Sequence, residues 1–249
     1  MKYFLELYGP LPRGGPGNNA LTRQAFGLIK GLPESPTILD VGCGPGMQTL
    51  ELARLTKGEV VALDNHQPFL DKLERDAEAA GLSQYIKTEN QDMGNMSFPP
   101  ASFDLIWSEG ALYSVGFENS LKNCRRLLKP AGYLAASELV WLKDEPTPEA
   151  KKWCQDYADI KSIALNLKLF EKNGYEMIGH FTLPASAWLD DYYAPLLKRI
   201  AELRPKWRGD EVATAVLDAS QAEAEGFKEV SGYIGYEFFV ARTSTAGTY

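Results

Sequence analysis

The stretch that most limits what this chain can fold into is residues 37–50, TILDVGCGPGMQTL. Its first five residues are apolar or β-branched except Asp40, which suits a buried parallel strand, and from Met47 the apolar spacing becomes helical. Between them Gly42, Gly44 and Gly46 lack a Cβ, so the backbone can take positive φ and a ligand can lie against the main chain. The following helix aims its free N–H groups at the same place, which suits an anionic or strongly polar group. The spacing excludes two common alternatives. A dinucleotide fingerprint reads G-x-G-x-x-G, and here Met47 stands where its third glycine belongs. A Walker loop needs Gly-Lys-Ser/Thr, which does not follow. A second hydrophobic run, VVALD, ends in Asp64 about 20 residues on, where a carboxylate can take both hydroxyls of a ribose.

With these residues the chain resembles the class I S-adenosylmethionine (SAM)-dependent methyltransferases, whose first motif is D-x-G-x-G-x-G and whose second strand ends in an acid. The likeness continues through NQDM at residues 90–93, FDLIWSEG at 103–110 and LLKPAGYL at 127–134. The phrase WSEGALY at 107–113 looks like a bacterial subgroup loosely related to ubiquinone- and menaquinone-biosynthesis methyltransferases. The resemblance implies a Rossmann-like α/β fold: a mostly parallel seven-stranded sheet, helices on both faces and a helical insertion between the last two strands. It implies SAM as cofactor, S-adenosylhomocysteine as product and a small-molecule acceptor methylated at oxygen, nitrogen or carbon. A SAM-binding sensor or subunit without catalysis is the alternative.

With 249 residues the chain has room for one α/β core with an insertion. It divides into a lid-like segment 1–17, a SAM-binding core 18–141 and a helical cap 186–230. The net charge of −7 and the absence of a basic stripe disfavour nucleic acid and anionic membrane as partners. Cys43, Cys124 and Cys154 are too few and scattered for a disulfide framework or a metal cluster. No window reaches the length of a membrane span and no signal peptide is evident, so a cytoplasmic monomer or homodimer is expected.

The GPLPRGGPG run at 9–17 is too rich in glycine and proline for periodic structure. It reads as a flexible lead-in or as a cover over the cofactor mouth anchored by Tyr3, Phe4 and Tyr8. Asn18 or Asn19 can cap a helix over 20–30. Helices are expected at 68–80, 121–128, 148–160 and 162–172, strands at 85–89, 133–140, 175–183 and 233–241, and two helices within 186–226.

Among site residues, the resemblance assigns Gly42, Gly44 and Gly46 to close approach and Gln48 to the methionyl end. Asp64 takes ribose, Asn65 and Met93 flank adenine, and Gln91 and Asp92 fix its edge. Asp92 could instead stabilise its own turn. Asp40 orients the loop backbone or the SAM ammonium. Ser108 and Glu109 end the fourth strand at the ligand-binding edge. Glu109 reads as an ammonium ligand, a general base or a solvated turn residue, and Tyr113 could line the same cavity. His180, inside an apolar strand, reads as structural or as a base. Trp188, Tyr192 and Tyr193 form either an aromatic roof over the substrate or the apolar face of the cap. With Asp190 and Asp191 they would favour a cationic or aromatic acceptor.

Overall fold

A computed structural model describes residues 2–155, 157 and 159–244. Among the described residues eight strands form one sheet: β1 (Thr37–Val41), β2 (Glu59–Asp64), β3 (Ile86–Asn90), β4 (Phe103–Glu109), β5 (Leu128–Trp141), β6 (Lys161–Ser162), β7 (Tyr175–Thr182) and β8 (Ile234–Thr243). The order is β3-β2-β1-β4-β5-β8-β7, with β6 paired to β5 off that path. The first five strands run parallel, while β8 lies antiparallel between β5 and β7. The eighth strand, absent from the expected seven, is the two-residue β6 beside Val140 and Trp141.

Ten helices of the described residues surround the sheet: α1 (Lys2–Tyr8), α2 (Asn19–Phe26), α3 (Met47–Thr56), α4 (Gln67–Ala79), α5 (Phe117–Leu127), α6 (Pro148–Trp153), α7 (Ile163–Lys172), α8 (Ser186–Trp188), α9 (Ala194–Lys206) and α10 (Glu211–Val230). Strand alternation explains the layers. Ile38, Val60, Leu105 and Trp107 pack with α2, α3 and the cap, whereas Leu39, Val61, Ile106 and Leu134 pack with α5 and α7. Both faces are covered, so the central strands read as continuous apolar runs. Asn18 caps α2 by accepting from the Leu21 N–H at 3.0 Å. The helix expected over 148–160 ends at Trp153, and Cys154 has left helical geometry.

The cap lies between β7 and β8. A π turn over Leu189–Tyr193 joins α8 to α9, and Pro195 falls in the first turn of α9, where no N–H is required. Residues 2–8, to which the sequence reading assigns no element, form α1 on that cap. The Tyr3 ring packs edge-on to Trp207 at 5.1 Å, its hydroxyl bonds to Asp210, and the Tyr8 hydroxyl donates to Ser220 at 2.9 Å.

Candidate functional site

The chain leaves β1 through Gly42, Gly44 and Gly46, all at positive φ (69°, 54° and 90°). The three glycines answer different demands. A Cβ on Gly42 would meet Ala111 Cβ at 2.4 Å, and one on Gly46 would meet Leu73 Cδ1 at 2.4 Å. Those two let α4 and the turn after β4 pack close. Gly44 instead faces open space, with only the Gly14 amide at 4.0 Å, so its bare backbone forms a floor.

Above that floor is a cavity of about 220 Å³ lined by Gly44, Gln48, Asp64, Met93, Glu109 and Tyr113, and closed on one side by Arg13 to Pro16. Asp64 ends β2 with Oδ2 accepting from Gly44 N–H and Oδ1 from His66 N–H, each at 2.9 Å. A carboxylate offers about four lone-pair sites, so both oxygens can still accept from a diol.

Asp40 is fully buried. Thr49 Oγ1 donates to its Oδ2 at 2.6 Å, and Gln48 Nε2 bridges Oδ2 (3.2 Å) to the Cys43 carbonyl (2.8 Å). The acid therefore braces the glycine loop through Gln48, while its Oδ1 has no partner among the described residues. Burial first, and then the Glu109 charge, push its pKa from 3.8 up to about 7, against the Thr49 hydrogen bond. Between those values the folded protein holds a proton that the unfolded chain has released. The stability this gives is complete below about pH 3.8 and is lost as pH rises through about 7. Asp40→Asn, neutral throughout, is expected to flatten that stretch of the curve of urea-derived stability against pH. An unchanged slope refutes the burial argument.

Glu109 is neither solvated nor free. Its carboxylate, 6% exposed, meets the equally buried Arg13 guanidinium at 2.5 Å and accepts from Thr22 Oγ1 (2.8 Å) and Trp107 Nε1 (2.9 Å). Arg13 also donates to Asn19 Oδ1 and approaches Met47 Sδ at 3.1 Å. The pair thus ties the glycine-rich segment before α2 to the end of β4 and the start of α3. Sequence reasoning missed Arg13, and its only local signal was a lone charge inside a Gly/Pro run.

Other expected site residues are placed differently. Ser108 is buried and donates to the Val41 carbonyl at 2.8 Å, stitching β4 to β1. Gln91 Oε1 accepts from Ser97 N–H and Oγ, holding its own loop, and Asp92 accepts from Gly94 N–H in the turn alternative. Asn65 is exposed, and Met93 lines the cavity. His180 Nδ1 pairs with Glu237, which also accepts from Thr182, in the antiparallel part of the sheet.

Trp188 and Tyr193, read as a roof over the substrate or as the apolar face of the cap, are 2% and 1% exposed and pack within the cap's apolar cluster. Trp188 stacks on Phe227 at 4.4 Å, and the Tyr193 hydroxyl donates to Glu223 at 3.0 Å. Tyr192 is half-buried against Tyr193, and Asp191 accepts from Asn18 rather than facing a ligand. A larger groove of about 980 Å³ opens beside the cavity between α1, α6 and α10, lined by Tyr8, Tyr113, Trp153, Tyr157 and Glu223. Tyr113 borders both spaces.

Two solved structures share this architecture over nearly their whole length. A SAM-dependent methyltransferase from Thiobacillus denitrificans, in complex with S-adenosylhomocysteine, superposes with a TM-score of 0.85 at 22% identity, covering 98% of each chain. One from Geobacter sulfurreducens, also with S-adenosylhomocysteine, gives 0.85 at 19% identity and 98% coverage of each. The fold is that of a SAM-dependent methyltransferase. Residues 38–132 of this methyltransferase-fold chain match the family described as Methyltransferase domain, a span that runs from β1 into the first part of β5. The sterol 24-C-methyltransferase of Aspergillus fumigatus is 27% identical over 208 residues, 78% of this chain and 55% of that protein. The chain spans about half the length of that relative. No described helix is long and apolar enough to cross a membrane.

Proposed function

We propose that this protein transfers a methyl group from SAM to a small molecule at oxygen, nitrogen or carbon, as a cytoplasmic monomer or homodimer. The observation that carries the reading is the bare Gly44 backbone, hydrogen-bonded to Asp64 and lining a cavity that a Cβ at residue 44 would begin to fill. The residues present fit the cofactor. Asp64 would hold the ribose, Gly44 the close main-chain approach, Met93 the adenine face, and Gln48 with Asp40 the methionyl end. The WSEGALY segment supports membership of the subgroup near the quinone-biosynthesis methyltransferases. Residues 1–17 act as a lid, since Gly14 to Pro16 already border the cavity.

When bound, SAM supplies an electrophilic methyl on a sulfonium, and displacement in line needs alignment and dryness more than bond-making by the protein. The glycine loop fixes the donor, the lid and Tyr113 exclude water, and the aromatic groove presents the acceptor. Calorimetry with SAM and S-adenosylhomocysteine, followed by release of S-adenosylhomocysteine across a metabolite panel, tests the proposal. Tight binding without release from any acceptor would favour the sensor, and no binding would remove both readings. Tyr113→Ala is expected to lower acceptor kcat/KM by on the order of tenfold or more through lost alignment, with a smaller change in SAM affinity. An unmoved kcat/KM takes Tyr113 out of the site.

A further inference from the structure

Beside the cofactor cavity, at the carboxyl end of β5, lies a second and smaller recess of about 170 Å³, lined by Tyr113, Ser114, Glu138, Tyr157, Lys161 and Asn166. It shares Tyr113 and Ser114 with the cofactor cavity, and Tyr113 and Tyr157 with the large groove. Tyr113 is therefore the common wall of all three spaces. Two buried polar groups of the recess are each short of a partner among the described residues. Glu138 is 5% exposed and Asn166 is 2% exposed. Glu138 Oε1 accepts from the Leu139 N–H at 3.2 Å, but Glu138 Oε2 and Asn166 Nδ2 have no hydrogen-bond partner among the described residues. Buried polar groups are almost always paired, so two orphans on one small cavity call for an occupant.

The chemistry of the pair selects it. An ammonium has no lone pair for the Asn166 amide. A carboxylate or phosphate would set its charge against Glu138, and the recess's one lysine, Lys161, is already paired with Asp159, which also lines it. A hydroxyl accepts from Asn166 and exchanges a hydrogen bond with Glu138 whichever of the two is the donor. Burial pushes the Glu138 pKa up to about 8, against the pull of Leu139 N–H and the Lys161 charge, so an occupant must suit both protonation states. Phenyl and indole edges from Tyr113, Tyr157 and Trp153 lead from the groove to this point.

Resting on the methyltransferase reading above, we propose that Glu138 and Asn166 form the subsite that anchors a hydroxyl of the methyl acceptor, an alcohol or phenol whose apolar body lies along the groove.

Phenol, anisole and benzene are suitable probes, because a cavity of this size takes one aromatic ring. Their binding is measured by NMR titration with and without S-adenosylhomocysteine. Phenol is expected to bind tighter than anisole or benzene by on the order of tenfold and to shift the Asn166 side-chain amide resonances, which are identified by their loss in Asn166→Leu. Glu138→Leu and Asn166→Leu are expected to erase that preference while keeping S-adenosylhomocysteine affinity. Glu138→Leu should also raise Tm, since it removes a buried unpaired group. In turnover, hydroxyl-bearing members of the metabolite panel should release S-adenosylhomocysteine and their deoxy counterparts should not. Phenol binding no tighter than benzene, or a preference that survives both substitutions, overturns the proposal. Failure of the wild-type protein to bind S-adenosylhomocysteine would overturn the cofactor reading instead, and the probe comparison without it then decides the recess alone.

Discussion

Asp64→Ala is expected to weaken SAM binding by about 1.5–3 kcal/mol, the range for hydrogen bonds to a charged group, which is roughly ten- to more than a hundredfold in Kd. The substitution removes two things at once. It takes away the acceptor for the ribose diol, and it releases the Gly44 and His66 amides that Asp64 holds at 2.9 Å. Asp64→Asn separates them. An amide keeps one oxygen to accept from a backbone N–H but presents an NH₂ group, a donor, where the other oxygen stood. Most of the affinity loss should therefore remain in Asp64→Asn, while only part of the thermal stability lost in Asp64→Ala should return, because one of the two backbone amides regains its acceptor. Calorimetry on both variants checks this, and unchanged affinity in Asp64→Ala would refute the ribose role.

The parts of the site written in local spacing are legible from the sequence alone. Glycines at 42, 44 and 46 constrain backbone geometry wherever the chain goes, and an acid at the end of an apolar strand falls at the ligand edge of any parallel sheet. The Asn18 cap follows from a similarly local signal, whereas the helical insertion between β7 and β8 is legible only through the family resemblance. Local spacing does not say which side of an element meets which neighbour. Trp188 and Tyr193 have the spacing of a helix face, and spacing is silent on whether that face meets Phe227 or a ligand. Ser108 ends a strand beside the site, yet its hydroxyl is taken by Val41, 67 residues earlier. Glu138 did carry a signal. A carboxylate inside the apolar run of β5 breaks the local pattern, and such breaks tend to fall at functional sites.

Glu109→Ala is expected to cost about 3–5 kcal/mol of folding stability, because it leaves the buried Arg13 charge unpaired and strips Thr22 and Trp107 of their acceptor. At about 2–4 °C per kcal/mol for a chain of this size, Tm should fall by roughly 6–20 °C. Removing both charges together, as Arg13→Met with Glu109→Leu, should recover much of the loss, since a buried pair replaced by apolar groups is often neutral. The same cycle decides what Glu109 does for the cofactor. If it acts by holding Arg13 and the lid segment over the glycine loop, SAM affinity should fall in Arg13→Met, and adding Glu109→Leu should lower it no further. If its carboxylate binds the SAM ammonium directly, the second substitution must add its own loss in the Arg13→Met background. The contacts favour the first outcome: Arg13 reaches Glu109 at the end of β4, Asn19 and Thr22 on α2 and Met47 at the start of α3. One side chain thereby ties the N-terminal segment to the helix that carries Gln48. Additive losses in the cycle would give Glu109 a cofactor contact of its own, independent of Arg13.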